Sequence, residues 1–314
     1  MSDGSVWKNI VTEEKSKVAE TLAEYRGNYK YNLLDENLRA FNAQVPIFAQ
    51  WDNHEVMEDW YPGEQFNRRG YREKNTLLLA ARGCRAFHEF MPLRYTPSEP
   101  GRIYRKISYG PLLDIFLLDM RSYRGSNTGA LGDQYGPDAY LLGPAQLTWL
   151  KHELLGSRAV WKIIASDTPL GTIAANSHGT VLGRDIEIAN LLLFIKRAGI
   201  RNTVWITADL HYTAAHYYDP NQALFQDFEP FWEFVSGPIH AGTWPQVDLA
   251  PTFGPRVVYQ CGASRAQGEN VAPCYGLQFF GHMAIDGANR QLMITLKDVK
   301  DRALWTKTLD PPLE

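Results

Sequence analysis

The chain has 314 residues, 45% of them hydrophobic and 12% aromatic, and its formal net charge at pH 7 is −3. A chain of this size can bury a sizeable core, and its near-neutral charge predicts no general attraction to nucleic acids or to membranes. No apolar run reaches the length of a membrane span, and residues 1–4 lack the basic and apolar regions of a signal peptide. We therefore expect the chain as given to be cytoplasmic.

The three cysteines, Cys84, Cys261 and Cys274, stand at unrelated spacings. They form neither a zinc-binding motif nor an evident disulfide framework, so buried free thiols are expected.

The amino-terminal segment predicts two helices and a strand. Residues 12–25 are amphipathic, with Thr12 as a candidate cap and Gly27 as a candidate stop. A second helix is predicted over residues 35–43, and the apolar residues 45–51 then predict a strand.

The next segment is predicted to contain a rim loop, a helix and two strands. Residues 59–70 are rich in turn-forming and aromatic residues, which is typical of a loop over a site, and residues 74–91 return to a helical pattern. Strands are predicted over residues 103–108 and 112–118. Residues 125–143 have no periodicity and predict a long loop.

Helices and strands alternate through the centre of the chain. We predict a helix over 144–155, a strand over 160–166, a loop over 167–183, a helix over 185–198 and a strand over 203–209. This alternation predicts an α/β layered sheet. The carboxyl third, with apolar runs at 277–285 and 291–296, alternates like antiparallel strands and a closing hairpin.

The predicted strand over 45–51 leads directly into a group of polar residues. Asn53 offers an oxygen that can bind a cation, His54 can act as acid, base or charge stabiliser, and Glu55 can orient the imidazole. Strand ends of α/β proteins commonly hold ligands. A surface loop with the same composition is the alternative interpretation.

Two later strands also end in potential metal ligands. Asp167 follows the strand over 160–166, and the strand over 203–209 ends in Asp209 with His211 two residues on. Residues i and i+2 of a strand share a face, so Asp209 and His211 converge on one ion if the extended conformation persists. The alternative for either aspartate is a helix or turn cap.

Taken together, these segments resemble the PhoD-like alkaline phosphatases, a branch of the calcineurin-like metallophosphoesterases, over essentially the whole chain. The residues that carry the resemblance are 51–56, 118–124, 142–150, 161–169, 208–212 and 231–237. The resemblance implies a single metallophosphoesterase-like domain over residues 1–314, built as a layered β-sandwich flanked by helices.

The resemblance also implies that part of the site is absent. Such enzymes carry an early strand ending in Asp and a second ending in Gly-Asp, and neither precedes Asn53 here. We therefore expect a family member truncated at its amino terminus, lacking the first strands. The uncovered edge beside residues 45–51 would drive formation of a homo-oligomer or be covered by residues 1–30.

Site roles follow from the resemblance residue by residue. Asn53, Asp167, Asp209 and His211 would bind the remaining metal, and His54 would donate to or stabilise the leaving oxygen. Arg121 would clamp phosphate through its guanidinium. A structural salt bridge from Arg121 to Asp119 or Glu55 is the alternative.

The other histidines are weaker candidates. His178, His216 and His240 lie in loops that match the family's and are expected near the site, whereas His88, His152 and His282 are expected to be structural.

The resemblance implies metal-assisted hydrolysis of a small phosphate ester, in which metal ions polarise the phosphoryl oxygens and activate water. It implies calcium with iron, and the oxygen and imidazole donors also permit manganese or zinc. No nucleic acid is expected beyond a phosphodiester substrate, and no membrane partner is expected.

Two functional alternatives remain. The first is a truncated, non-catalytic remnant that binds metal or a phosphorylated ligand without turnover. The second, ester hydrolysis by a nucleophilic serine, has little support because the sequence contains no Gly-x-Ser-x-Gly elbow.

Overall fold

The structure is a computed structural model and describes residues 9–65, 67–126, 136–173 and 184–311. The helices of these residues are α1 Leu22–Asn32, α2 Glu36–Gln44, α3 Thr76–Phe90, α4 Gly143–Gly156 and α5 Asp185–Arg197. The strands are β1 Arg105–Tyr109, β2 Leu113–Leu117, β3 Trp161–Ala165, β4 Thr203–Thr207, β5 Thr213–Tyr218, β6 Phe231–Val235, β7 Pro255–Cys261, β8 Phe279–Ile285, β9 Leu292–Asp298 and β10 Ala303–Leu309.

The strands of the described residues form two sheets. The larger has the order β1-β2-β3-β4-β6-β5-β7, and the smaller has the order β10-β9-β8. Within the larger sheet, β2, β3, β4 and β6 pair in parallel. Their carboxyl ends therefore meet at one edge of the sheet, where the loops of an α/β protein hold its functional residues.

Both faces of the parallel strands are buried, which explains their continuous apolar sequences. On one face, Ile164 and Trp205 pack in a core with Leu150 of α4 and Leu191 of α5. On the other face, Ile163, Val204 and Phe234 pack against β9 of the smaller sheet. The predicted α/β layered β-sandwich flanked by helices is therefore confirmed.

The amino-terminal helices pack away from this sandwich. Tyr25 of α1 and Phe87 of α3 share a core with Trp51 and Trp60. Burial of large aromatic side chains contributes about 1.5–3 kcal/mol each, so this second core holds the segment that follows residue 50.

The predicted helix over 12–25 is wrong at both ends. Helix α1 begins after Thr21, whose Oγ1 accepts from the Glu24 amide while Glu24 accepts from the Thr21 amide. This capping box, rather than Thr12, satisfies the first free amides of the helix. Gly27 does not stop the helix. It lies inside α1, where a Cβ would stand 2.2 Å from Glu14 Cβ, so glycine permits the preceding segment to cross.

The strand predicted over 45–51 does not form. Residues 45–51 have no regular secondary structure, and the side chains of Val45, Ile47 and Phe48 are exposed. The segment is held instead by side chains: the Gln50 amide donates to the carbonyls of Leu118 and Ala165, at 2.8 and 3.0 Å. The edge strands of the larger sheet, as far as it is described, are β1 and β7, so no sheet edge lies at residues 45–51.

Most other predicted elements are confirmed within a few residues: α2, α3, β1, β2, α4, β3, α5, β4 and the antiparallel closing strands. The sequence prediction did not delimit β5, β6 and β7. In the predicted loops, Pro137–Ala139 and Leu170–Thr172 form short 3-10 turns. The remaining loop residues 127–135 and 174–183 lie outside the described residues. No helix of the described chain is both long and apolar enough to cross a membrane.

Candidate functional site

The turn Asn53–Glu55 presents the amide and imidazole at the carboxyl edge of the sheet. The Asp52 carboxylate accepts from the Asn53 amide at 2.7 Å, and Glu55 accepts from the Asp52 amide at 2.6 Å. This reciprocal capping bends the chain into one 3-10 turn. Asn53 is buried and its Oδ1 atom has no hydrogen-bond partner in the described structure, whereas His54 is exposed to solvent.

Asp119 determines how the loop after β2 joins this turn. Its Oδ1 atom accepts from the amides of Arg121 and Ser122, at 3.0 and 2.9 Å, and from the Trp51 indole at 2.9 Å. Asp119 is fully buried, so one carboxylate oxygen orients both the 119–122 turn and the residue before Asp52.

Arg121 lies at the centre of a group of acidic side chains. It is 3% exposed, and its guanidinium contacts Asp52 at 2.8 Å and Asp167 at 2.9 Å. Asp59 is 3.9 Å away, and the Thr168 hydroxyl is 3.3 Å from Nη2. The predicted alternative, a salt bridge to Asp119 or Glu55, is wrong: Asp119 bonds the backbone amide of Arg121, and the ionic partners are Asp52 and Asp167.

The electrostatics of this group follow from burial and from the excess of carboxylates. Burial raises the pKa of Asp167 to about 7 although Arg121 lowers it, and the neighbouring Asp52 raises it further. Burial likewise raises the pKa of Asp52. For Arg121, burial disfavours the charged form, but Asp167, Asp52 and Asp209 together raise its pKa. The guanidinium stays charged, and among the described residues Asp52 and Asp167 both form close ion pairs with it.

Asp209 joins the group, but not in the way the sequence pattern predicted. Strand β4 ends at Thr207, and Asp209 and His211 have left-handed φ values of 66° and 54°. The extended conformation does not persist beyond β4. The prediction that Asp209 and His211 share one face of a strand is therefore wrong. Burial nevertheless raises the pKa of Asp209 to about 6, with Arg121 lowering it and Asp167 raising it, so its carboxyl interacts electrostatically with both.

His54 is exposed, His211 is half-buried, and His54 lies within electrostatic range of both His211 and Arg121. The Nδ1 atom of His211 is 2.6 Å from the Gly242 carbonyl, and its ring meets the edge of Trp244. Loss of hydration lowers the pKa of His54; Glu58 and Asp59 oppose this shift, whereas Arg121 and His211 add to it. His54 is therefore mostly neutral at neutral pH.

The donor chemistry fits a hard or borderline cation, although the shell is incomplete. Two buried oxygens, Asn53 Oδ1 and Asp167 Oδ1, have no hydrogen-bond donor in the described part of the chain. Asp52 and Asp209 add two more carboxylates, whose pKa values burial raises although Arg121 lowers them. However, no three His, Cys, Asp or Glu side chains within residues 9–65, 67–126, 136–173 and 184–311 are arranged to hold a metal ion.

The remaining histidines divide by environment. His216 is buried and its Nδ1 atom is 2.9 Å from Glu233, whereas His240, His152 and His282 are exposed. His88 faces the Cys84 carbonyl in α3, at 2.9 Å. His178 lies outside the described residues.

Sequence reasoning missed three contributors. No role was predicted for Asp52, although the Asp-x-x-Glu spacing of a capping box was visible. Thr168 had no distinguishing signal. Glu233 interrupts an apolar strand, and a carboxylate in such a run requires buried hydrogen-bond donors.

Comparison with known proteins assigns the family. The PhoD-like phosphatase family matches residues 1–296, so the chain belongs to the PhoD-like phosphatase family. The chain is 29% identical to alkaline phosphatase D of Bacillus subtilis (strain 168) over 251 residues, which are 75% of this chain and 42% of that protein.

A solved structure described as "Structure of PhoD" has the same fold. It matches with a TM-score of 0.60 and 21% identity, covering 95% of this chain and 62% of the other. The chain thus spans less than two thirds of the length of both relatives.

Proposed function

We propose that the chain is a metal-dependent phosphoric ester hydrolase of the alkaline phosphatase or phosphodiesterase type. The observation that carries the proposal is the buried Arg121 guanidinium, held between Asp52 and Asp167 at the carboxyl edge of the parallel strands, with the exposed His54 within electrostatic range of it. Membership of the PhoD-like phosphatase family supports this reading.

The residues that would hold a metal are Asn53, Asp167, Asp209 and His211, with Asp52 as an added carboxylate. The unpartnered oxygens of Asn53 and Asp167 support this assignment. Calcium with iron is the pair that the family resemblance implies, and manganese or zinc also suits these donors. A bound ion would polarise a phosphoryl oxygen and lower the pKa of bound water.

Arg121 and His54 would act on the phosphate group itself. A guanidinium that is already oriented by two carboxylates can hold phosphate oxygens with little loss of side-chain entropy. The neutral imidazole of His54 would gain a proton as a phosphate dianion approaches, because an opposite charge favours the charged form. Its proton could then pass to the leaving oxygen.

The non-catalytic alternative has a specific observation in its favour. The nitrogen atoms of Arg121 already contact Asp52, Asp167 and Thr168, and the described residues do not complete a metal shell. A chain of this kind would bind metal or a phosphorylated ligand without turnover.

Hydrolysis of p-nitrophenyl phosphate and of bis(p-nitrophenyl) phosphate separates the two functions. The assay would be run after loading with calcium, iron, manganese or zinc, alone and in the calcium–iron pair, with metal content measured on the same samples. The hydrolase predicts turnover that a chelator abolishes and metal restores. Bound metal without turnover of either ester under any loading would support the non-catalytic alternative.

Self-association is a further part of the proposal. Helix α2 and the segment after it expose the apolar side chains of Leu38, Phe41, Val45, Ile47 and Phe48. Exposed apolar side chains so close together in sequence are typical of an interaction surface, and a homo-oligomer would cover them. We expect Phe41→Ser to shift the sedimentation coefficient toward that of a monomer, whereas a monomeric parent chain would contradict the homo-oligomer.

A further inference from the structure

A buried hydrogen-bond network lies beneath the loop that carries Asp167 and Thr168. Glu233 of β6 is 0% exposed. Its Oε2 atom accepts from the Tyr218 hydroxyl at 2.8 Å and faces His216 Nδ1 at 2.9 Å. All three side chains come from the adjacent antiparallel strands β5 and β6.

The network binds two successive backbone amides of the 3-10 turn Leu170–Thr172. Glu233 Oε1 accepts from the Leu170 amide at 2.7 Å, and the Tyr218 oxygen accepts from the Gly171 amide at 2.8 Å. Pro169 precedes this turn, and Thr168 and Asp167 precede Pro169. The bonded amides therefore lie only two to four residues after Asp167 and Thr168, which contact Arg121.

The fit around Gly171 leaves little freedom for the turn to move. A Cβ at Gly171 would stand 3.2 Å from the Tyr218 hydroxyl and from Leu249, and the Gly171 carbonyl accepts from the Ala250 amide at 2.7 Å. The turn is thus bonded on the Glu233 side and on the side of residues 249–250.

Buried charge explains why such a network has a purpose beyond packing. A fully buried carboxylate is costly unless donors satisfy it, and an apolar residue in β6 would fill the same space without that cost. Glu233 instead receives donors from the turn, from Tyr218 and from His216. Its bonds fix the position of a backbone segment, which apolar contacts do with less directional precision.

We propose that Glu233 and Tyr218 are positioning residues for the reaction. By holding the amides of Leu170 and Gly171, they place Asp167 and Thr168 against Arg121. This inference rests on the proposed hydrolase function. Neither residue touches substrate or metal in this assignment, and both act through the loop.

Tyr218→Phe is the sharpest test because it removes the hydroxyl and keeps the ring. Thr213→Val is a matched control: Thr213 lies on the same strand, is buried, and donates to the Val235 carbonyl of β6 at 3.0 Å, but does not contact the turn. Each variant loses one buried hydroxyl bond between the same two strands, and Tyr218→Phe also loses the bond from the Gly171 amide. Both variants should lower the melting temperature, Tyr218→Phe by somewhat more, so the two are compared at a temperature where both are folded.

Kinetics and amide exchange then separate positioning from stability. We expect Tyr218→Phe to lower kcat for p-nitrophenyl phosphate about threefold to tenfold, the size of one or two hydrogen bonds, with KM changed by less than about twofold. Thr213→Val should leave kcat unchanged at a temperature where both variants are folded. Hydrogen exchange of the amides of Leu170 and Gly171 should accelerate in Tyr218→Phe and not in Thr213→Val.

A second variant tests the role of the Glu233 carboxylate. Glu233→Gln keeps the shape but places an NH2 group against donors, so it should lower kcat more than Tyr218→Phe does. Equal kcat values for Tyr218→Phe and Thr213→Val in an active enzyme would overturn the positioning role.

The two proposals fail in different ways. Absence of turnover in the parent chain under every metal loading would overturn the hydrolase function. Hydrogen exchange then still tests whether Tyr218 holds the loop, because it does not depend on turnover. Unchanged protection of the Leu170 and Gly171 amides in Tyr218→Phe would overturn the positioning role as well.

Discussion

Two buried groups of charged side chains in this protein differ in how completely the hydrogen bonds of their side-chain oxygens are satisfied, although the Nε2 nitrogen of His216 beside Glu233 has no partner in the described structure. Around Arg121, the carboxylates outnumber the cation, and the oxygens Asn53 Oδ1 and Asp167 Oδ1 have no donor among the described residues. Around Glu233, both carboxylate oxygens have donors from the turn, from Tyr218 or from His216.

The difference indicates what each group does. Unsatisfied buried oxygens raise the free energy of the folded protein unless something binds them, so they persist where a ligand completes them. A fully satisfied carboxylate needs no ligand and serves to fix the backbone. The Arg121 group is therefore the candidate for binding and chemistry, and the Glu233 group for positioning.

The largest effect should come from removing the cation of the first group. Arg121→Ala leaves Asp52, Asp167 and Asp209 without compensation, which we expect to destabilise the fold by about 3–5 kcal/mol and to reduce kcat/KM by more than about a hundredfold. Arg121→Lys is the control, because it retains the charge and loses the two-pronged contact. Urea unfolding and phosphatase assays measure the two effects.

The pH dependence of the stability of Arg121→Ala gives a further check. Without Arg121 the carboxyl pKa values rise further above their unfolded values, so the folded state favours the protonated acids. The stability penalty should then grow as pH rises from 5 to 8. A penalty that is independent of pH would mean that the acids do not depend on Arg121.

His54→Ala should have the next largest effect and should leave the fold intact, because His54 is exposed. We expect kcat to fall about a hundredfold or more with metal content nearly unchanged, since acid catalysis and charge stabilisation are of that size. Asn53→Ala should instead lose metal. Equal metal loss in both variants would show that His54 is itself a ligand.

Asp185 provides an intermediate case, a carboxylate with one oxygen satisfied and no ion-pair partner among the described residues. Thr252 donates to its Oδ2 atom at 2.7 Å, its Oδ1 atom has no partner in the described structure, and burial raises its pKa to about 6. Because the folded pKa exceeds the unfolded value, ionisation of Asp185 costs stability. Stability should fall as pH rises from about 4 through about 6, by up to about 3 kcal/mol.

Asp185→Asn removes this titration and should stabilise the protein at pH 8 by about 1–3 kcal/mol, with little effect at pH 4. Denaturant unfolding at both pH values measures it, and Asp227→Asn on the exposed surface is the control. An equal change at both pH values would contradict the assigned cause.

The smallest effect should come from Thr168→Val, which removes the hydroxyl that is 3.3 Å from Arg121 Nη2. The bond is long and Arg121 keeps its carboxylate partners, so kcat/KM should fall only about twofold to fivefold. A loss as large as that of His54→Ala would place Thr168 in contact with substrate and weaken the distinction between the two groups.

The sequence by itself predicted the layered α/β fold and most of its elements. Strands such as Trp161–Ala165 are short, apolar and rich in β-branched or aromatic residues, and helices such as α3 have one apolar face, so local pattern and burial agree. The same pattern reading placed Asp167 and Asp209 at the ends of strands of the sheet, whereas Arg121 was predicted only from the family resemblance.

Only the tertiary structure decided how those residues meet. The apolar residues 45–51 are not a strand. The Gln50 side chain donates to the carbonyls of Leu118 and Ala165, and the Arg105 side chain donates to the Ala49 carbonyl, so side-chain bonds hold the segment. Asp209 reaches the acidic group through a left-handed backbone rather than an extended one. The partners of Arg121 and Glu233 are separated by 15 to 69 residues in the chain. Periodicity reports which face of an element is buried, but contacts across such separations depend on how loops close, and no local pattern specifies that.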